Sequence, residues 1–153
     1  MNRKIFKIDK TGKSTAFFLN ERKLLKNKHI SKLKKIALEN NDDQRICLHA
    51  NKKSSLQIMI NCLIRKKEYS PHKHFAKDEF YYLLNGRLKV ILINKTKKIT
   101  NFRILDSKNR FFFLTKNIIH YTIPLTKTCT FIEARPGPFE KKDTKIYKFL
   151  KKF

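Results

Sequence analysis

The chain has 153 residues, room for one domain with its own core, and 41% of them are hydrophobic, which excludes a disordered polyelectrolyte. Thirty-seven Lys and Arg against 12 Asp and Glu give a formal charge of +25. The lysines are spread over the whole length without a recognisable nucleic-acid motif, so the charge reads as a solvated surface and nucleic acid is not the expected partner.

Cys47, Cys62 and Cys129 are widely spaced with no CxxC pair, which argues against a disulfide framework or a zinc knot and fits a reducing, cytoplasmic setting. The basic start is not followed by the apolar core of a signal peptide. The longest apolar runs, "FFFL" at 111–114 and "VILI" at 90–93, are too short to span a membrane, so no membrane partner is expected.

In chain order, residues 1–20 alternate weakly and predict an edge strand. "TGKST" at 11–15 resembles the end of a phosphate-binding loop, but position 7 is Lys where that loop needs glycine. From Glu21 to Asn40 the period turns helical, with Ile30, Leu33, Ile36 and Ala37 on one face, lysines opposite, and His29 assigned to the surface. "NNDD" at 40–43 ends the helix. Strands follow over 45–50, 56–64, 79–85, 87–94, 99–105, 110–114, 118–124 and 128–134, the third and fourth joined at Gly86. "LQIMINCLI" at 56–64 is apolar throughout, as in a strand buried on both faces. Many strands behind one helix predict an all-β sandwich or barrel. The expected organisation is an N-terminal segment and helix over 1–44, a barrel over 45–140, and a tail or short helix over 141–153, all in one domain.

"PHKHFAKDEFYYLLNG" at 71–86 stands apart from the lysine-rich remainder. Alternation puts His72 and His74 on one face of a strand, and a four-residue spacer allows Glu79 to turn back beside them. His120, in the later strand "IIHYTIP", closes the set from a facing strand. Three imidazoles and a carboxylate suit one divalent transition metal, such as Fe, Mn, Ni or Zn, and not calcium or magnesium.

This stretch resembles the first signature of the cupin superfamily, with His72, His74 and Glu79 as metal ligands and Gly86 at the hairpin turn. In the second signature Thr115 and Asn117 stand where a Pro and a Gly are usual, and Asn tolerates the left-handed backbone better than most residues. "LKKIALEN", "RICLHAN", "EFYYLLNGRLKVIL" and "HYTIPLTKTCTFIEARPGPFEKKDT" are similar, in order, to cupin-fold metalloproteins of the WbuC type, over about residues 31 to 145. The resemblance implies a double-stranded β-helix, or jelly-roll barrel, and a homodimer. It further implies a small polar substrate, such as a sugar or nucleotide-sugar intermediate of surface polysaccharide (O-antigen) synthesis. Metal Lewis-acid chemistry of the isomerase or epimerase kind, an Fe-dependent dioxygenase, and a non-catalytic binding module all remain open.

Four further positions complete the reading. Glu133 lies among Phe131, Ile132 and Ala134, so it is either a general base, a partner of a ligand imidazole, or an ion pair with Arg45 or Arg135. Arg45 and His49 share a face, so Arg45 is either a clamp for a substrate carboxylate or phosphate, or a solvated strand-edge residue. Tyr69 and Tyr82 either line a sugar-sized pocket or pack the strand ends.

Overall fold

The architecture comes from a computed structural model, which describes residues 1–2, 4–11, 14–20, 23–65, 69–94, 96 and 98–147. Twelve strands and one α-helix follow in chain order: β1 (Phe6–Asp9), β2 (Thr15–Leu19), α1 (Asn27–Asn40), β3 (Gln44–Cys47), β4 (Leu56–Ile64), β5 (His72–His74), β6 (Glu79–Asn85), β7 (Leu88–Ile93), β8 (Ile99–Leu105), β9 (Phe111–Leu114), β10 (Ile119–Pro124), β11 (Thr128–Pro136) and β12 (Thr144–Ile146). A seven-stranded sheet has the order β1-β2-β3-β4-β11-β6-β9, and a five-stranded sheet the order β12-β5-β10-β7-β8. Every pairing is antiparallel except β2 with β3. The expected all-β jelly roll with one N-terminal helix is what forms.

Two apolar layers hold it. Between the sheets, Tyr81, Leu83, Leu88, Val90, Leu105, Leu114, Cys129 and Phe131 are buried against one another. On the outer side of the seven-stranded sheet, Leu33 and Ala37 of α1 pack with Phe6, Phe17, Ile46, Ile60, Cys62 and Ile64. Strand β4 therefore serves both layers, which is why its sequence is apolar on both faces.

The N-terminal segment supplies two strands rather than one, and β2 joins the sheet beside β3. The helix begins at Asn27, later than the periodicity suggests, and Glu21 and Arg22 lie outside the described residues. His29 is not a surface residue. Its ring is 8% exposed, meets the Phe6 ring edge-on at 5.3 Å, and accepts the Lys26 backbone N–H on Nδ1 at 3.1 Å. It caps the helix from inside, a task invisible to a helical-wheel argument. Residues 141–147 form a 3-10 turn (Lys141–Asp143) and β12 rather than a loose tail, and residues 148–153 lie outside the described residues.

Two backbone positions required special residues. Gly86 has φ +89, and a Cβ there would stand 2.6 Å from Thr126 Oγ1 and 2.7 Å from the Thr128 carbonyl oxygen. Asn117 takes the left-handed conformation at φ 67, where the family pattern has glycine.

Candidate metal centre

Strand β5 is only three residues long, "HKH". Its alternation sends His72 and His74 inward and Lys73 outward. Strand β10 places His120 directly opposite His72, with ring centroids 4.5 Å apart. His74 lies 5.3 Å from His72 and 6.1 Å from His120, again between centroids. Glu79, the first residue of β6, closes the group from the other sheet. Its Oε2 is 2.9 Å from His120 Nε2 and its Oε1 is 3.2 Å from His74 Nε2. All four side chains singled out in the sequence are thus gathered at one end of the barrel interior.

Each ring is turned by an oxygen behind it. His72 Nδ1 faces the Ser70 carbonyl at 3.2 Å, and His120 Nδ1 faces the Ile118 carbonyl at 3.0 Å. His74 Nδ1 faces Thr144 Oγ1 at 2.9 Å and Asp143 Oδ2 at 3.7 Å. Carbonyl oxygens only accept, so Nδ1 of His72 and of His120 carries a proton, and Nε2 is the nitrogen that faces inward. Holding the rear nitrogen is how proteins orient a metal-ligating imidazole.

Arg135 reaches into the same group. Its Nη1 lies 3.2 Å from His74 Nε2, 3.4 Å from Glu79 Oε1 and 3.4 Å from Glu133 Oε1. Tyr81 adds a hydroxyl that donates to Glu79 Oε2 at 3.0 Å.

The environment separates the titratable groups. Burial, aided by the charge of His120, pushes the His72 imidazole down to about 3, so the ring is neutral and its inward nitrogen free to coordinate. Burial raises the Glu79 carboxyl, but the contacts from His120 and His74 more than reverse this and hold it well below the usual carboxylate range. Burial and the Glu79 charge raise the Glu133 carboxyl against the opposing pull of Arg135.

The donor set fits a divalent transition metal in its chemistry: three imidazole nitrogens and one ionised carboxylate, with their rear atoms engaged. Among the described residues no group of His, Cys, Asp and Glu stands as a ready-made metal shell. The inward atoms are instead drawn onto one another and onto Arg135. A surface cavity of about 680 Å³ is lined by Lys73, the outward residue of β5, with Asn117, Ile119 and Tyr147, and by none of the four clustered side chains.

The remaining sequence-derived positions divide. Glu133 is beside the cluster: Oε2 accepts from Asn61 Nδ2 at 2.8 Å, and Oε1 pairs with Arg135, the ion-pair alternative. Arg45 is opposite Asn61 in the sheet, on the inward face. His49 is tied to the Ile58 backbone and lies edge-on to Phe18 at 5.5 Å, so it does not reach the imidazoles. Tyr69 is likewise elsewhere, its hydroxyl donating to Asp43 Oδ1 at 2.9 Å. Tyr82 points outward and packs on Phe111 at 4.8 Å. Once Glu79 faces inward, alternation makes Tyr81 the inward tyrosine, so the choice of Tyr82 was one of wrong parity.

Tyr81 was therefore missed, and Arg135 was named only as an ion-pair partner of Glu133, although counting by twos from Glu79 and Glu133 reaches both. Asp143 and Thr144, which hold His74, carry no local signal. They lie in a segment that reads as a polar tail and reach His74 only because β12 pairs with β5.

Comparison with known proteins bears on fold alone. The fold is similar to that of protein SO0799 from Shewanella oneidensis, with 16% identity, a TM-score of 0.50, and coverage of 62% of this chain and 63% of that one. It is similar to the capsular polysaccharide assembling protein CapF from Staphylococcus aureus, with 13% identity, a TM-score of 0.54, and coverage of 61% and 26%. Peruvianin-I, a cysteine peptidase from Thevetia peruviana latex, is matched at 13% identity and a TM-score of 0.50, with coverage of 61% and 56%. The chain spans less than two thirds of the length of each of these three, and their printed roles differ. No curated protein matches the chain significantly. The shared architecture is the two-sheet jelly roll. A family profile described as "Domain of unknown function (DUF6016)" matches residues 25–105, more than half of the 153, and the chain therefore belongs to that family.

Proposed function

We propose that the protein is a mononuclear metal-binding cupin of the WbuC type that acts on a sugar or nucleotide-sugar intermediate of surface polysaccharide synthesis. The observation that carries the metal reading is the set of three imidazoles, each with Nδ1 turned to an oxygen behind it, around the Glu79 carboxylate. The substrate reading is supported by the motif resemblance and by the likeness in fold to a capsular polysaccharide assembling protein. A divalent transition metal held by His72, His74, Glu79 and His120 would supply Lewis acidity toward a substrate hydroxyl or carbonyl.

The chain's own groups have distinct tasks in this reading. Tyr81 and Arg135 steady the Glu79 carboxylate by donating to it. Glu133, raised by burial, accepts and returns a substrate proton, with Asn61 fixing its second oxygen. The apolar layer below the cluster keeps water from the inner end of the site.

Metal analysis of protein purified without chelators tests this. The expected result is about one equivalent of a transition metal, lost in His72→Ala and Glu79→Ala. Less than about a tenth of an equivalent, with no uptake on titration, overturns it. We further propose a homodimer paired through open sheet edges such as β8 or β9, for which light scattering would return twice the chain mass.

A further inference from the structure

We propose that Arg45 and Arg135 form an oxyanion subsite beside the imidazole cluster, which takes the carboxylate or phosphate group of the substrate. The inference rests on the metal-centre reading and names the substrate class for it.

The first ground is unspent hydrogen-bonding capacity. Arg45 Nε and Arg135 Nε are both enclosed without an acceptor, and the Arg135 side chain is only 11% exposed. Enclosed N–H groups in proteins almost always have a partner. The neighbouring acceptors are already engaged: Glu133 Oε2 by Asn61, Glu133 Oε1 and Glu79 Oε1 by the single Nη1 of Arg135. Each guanidinium thus keeps at least one enclosed donor that the described chain leaves without an acceptor.

The second ground is charge. Arg45 and Arg135 are balanced by Glu79 and Glu133, and Asp143 adds one negative charge behind His74, so a divalent metal among the imidazoles would leave the site about one charge positive. A neutral sugar would leave that excess unpaired in a poorly solvated site. An oxyanion supplies both negative charge and the missing acceptors, and the guanidinium fork matches a carboxylate or a phosphate in two-point geometry.

The third ground is position. Arg45 and Arg135 come from different strands, β3 and β11, yet Arg45 lies opposite Asn61, whose amide donates to Glu133 Oε2 at 2.8 Å, and Arg135 pairs with Glu133 Oε1 at 3.4 Å. The two arginines therefore flank Glu133 on the inward face of the sheet. Exposed lysines attract anions without geometry. This pair is set inside the barrel.

Calorimetric titration of the metal-loaded protein at about 150 mM salt, where surface attraction is screened, tests the subsite. The probes are glucuronate, glucose 6-phosphate and glucose. One anion is expected to bind at a single site at least about tenfold tighter than glucose, and the preferred anion identifies the group as carboxylate or phosphate. Arg45→Gln is expected to weaken that binding at least about tenfold with metal content unchanged. Arg135→Lys, which keeps the charge but loses the fork, gives the same loss and serves if Arg45→Gln fails to fold. Equal binding of glucose, no anion binding, or anion binding indifferent to both substitutions overturns the subsite. Metal content measured on the same samples separates the two readings: arginine-dependent anion binding without metal sinks the metal centre alone, and metal without arginine-dependent binding sinks the subsite alone.

Discussion

Two ends of the same strands behave oppositely. Along β11, Cys129 and Phe131 are sealed into the apolar layer between the sheets, while two and four residues further on Glu133 and Arg135 lie in a polar network. Along β6, Leu83 belongs to the first end and Glu79 to the second. One end of the barrel is packed for stability and the other is filled with groups that are costly to bury. The difference teaches that the packed end is the anchor from which the polar end is held in place.

Substitutions at each end should separate these roles. The largest effect is expected at the packed end, where Phe131→Ala should cost about 3–5 kcal/mol in urea denaturation, with the metal stoichiometry of the folded fraction unchanged. At the polar end the order inverts. Thr144→Val, which removes the hydroxyl behind His74, should lower metal affinity about 10- to 100-fold by competitive titration while changing the stability of the metal-free protein little. A large stability loss there would erase the distinction between the ends.

The hairpin at the packed end is a third probe. Gly86→Ala forces a side chain into a left-handed position already closed by Thr126 and Thr128, and should cost about 1–3 kcal/mol.

A smaller effect concerns pH at the outer layer. Burial and the charges of Lys28 and Lys26 hold the His29 ring below its ordinary value, and its Nδ1 accepts a backbone N–H, so the native ring is neutral. The folded value lies below the unfolded one, so the unfolded chain binds the proton more readily. Stability is full above the unfolded value of about 6.5 and falls as pH drops through it. Urea midpoints of wild type should fall more steeply than those of His29→Gln between pH 7.5 and 5.5, and parallel curves would remove His29 from the account. The smallest effect is chemical. Burial pushes the Cys47 thiol up to about 11 and the Cys129 thiol up to about 12, so thiol reagents at pH 8 should label the folded protein slowly and the unfolded chain at once.

The sequence was most informative where a residue's task follows from its neighbours in the chain. The strands β4, β6, β7, β8 and β10 lie within a residue or so of their expected ranges because alternation and length speak directly of a strand. His72, His74, Glu79 and Gly86 were readable because each spacing has a geometric consequence. Arg135 was seen only as an ion-pair partner for Glu133, because nothing local says that its guanidinium reaches across to His74 and Glu79. Asp143 and Thr144 were invisible for a stronger reason: their use depends on β12 closing beside β5, a pairing between segments about seventy residues apart. His29 was misplaced because a helix-capping ring and a surface ring look alike on a wheel.

That late strand has a consequence for the order of assembly. The imidazoles of β5 are synthesised early, but the hydroxyl that turns His74 toward the interior comes from Thr144. Until that segment returns across the sheet, His74 has no fixed tautomer and β5 has an open flank. Distant pairings of this kind form slowly. An ion arriving before closure would meet only a loose collection of rings, so metal loading should follow the final folding step rather than guide the chain toward it.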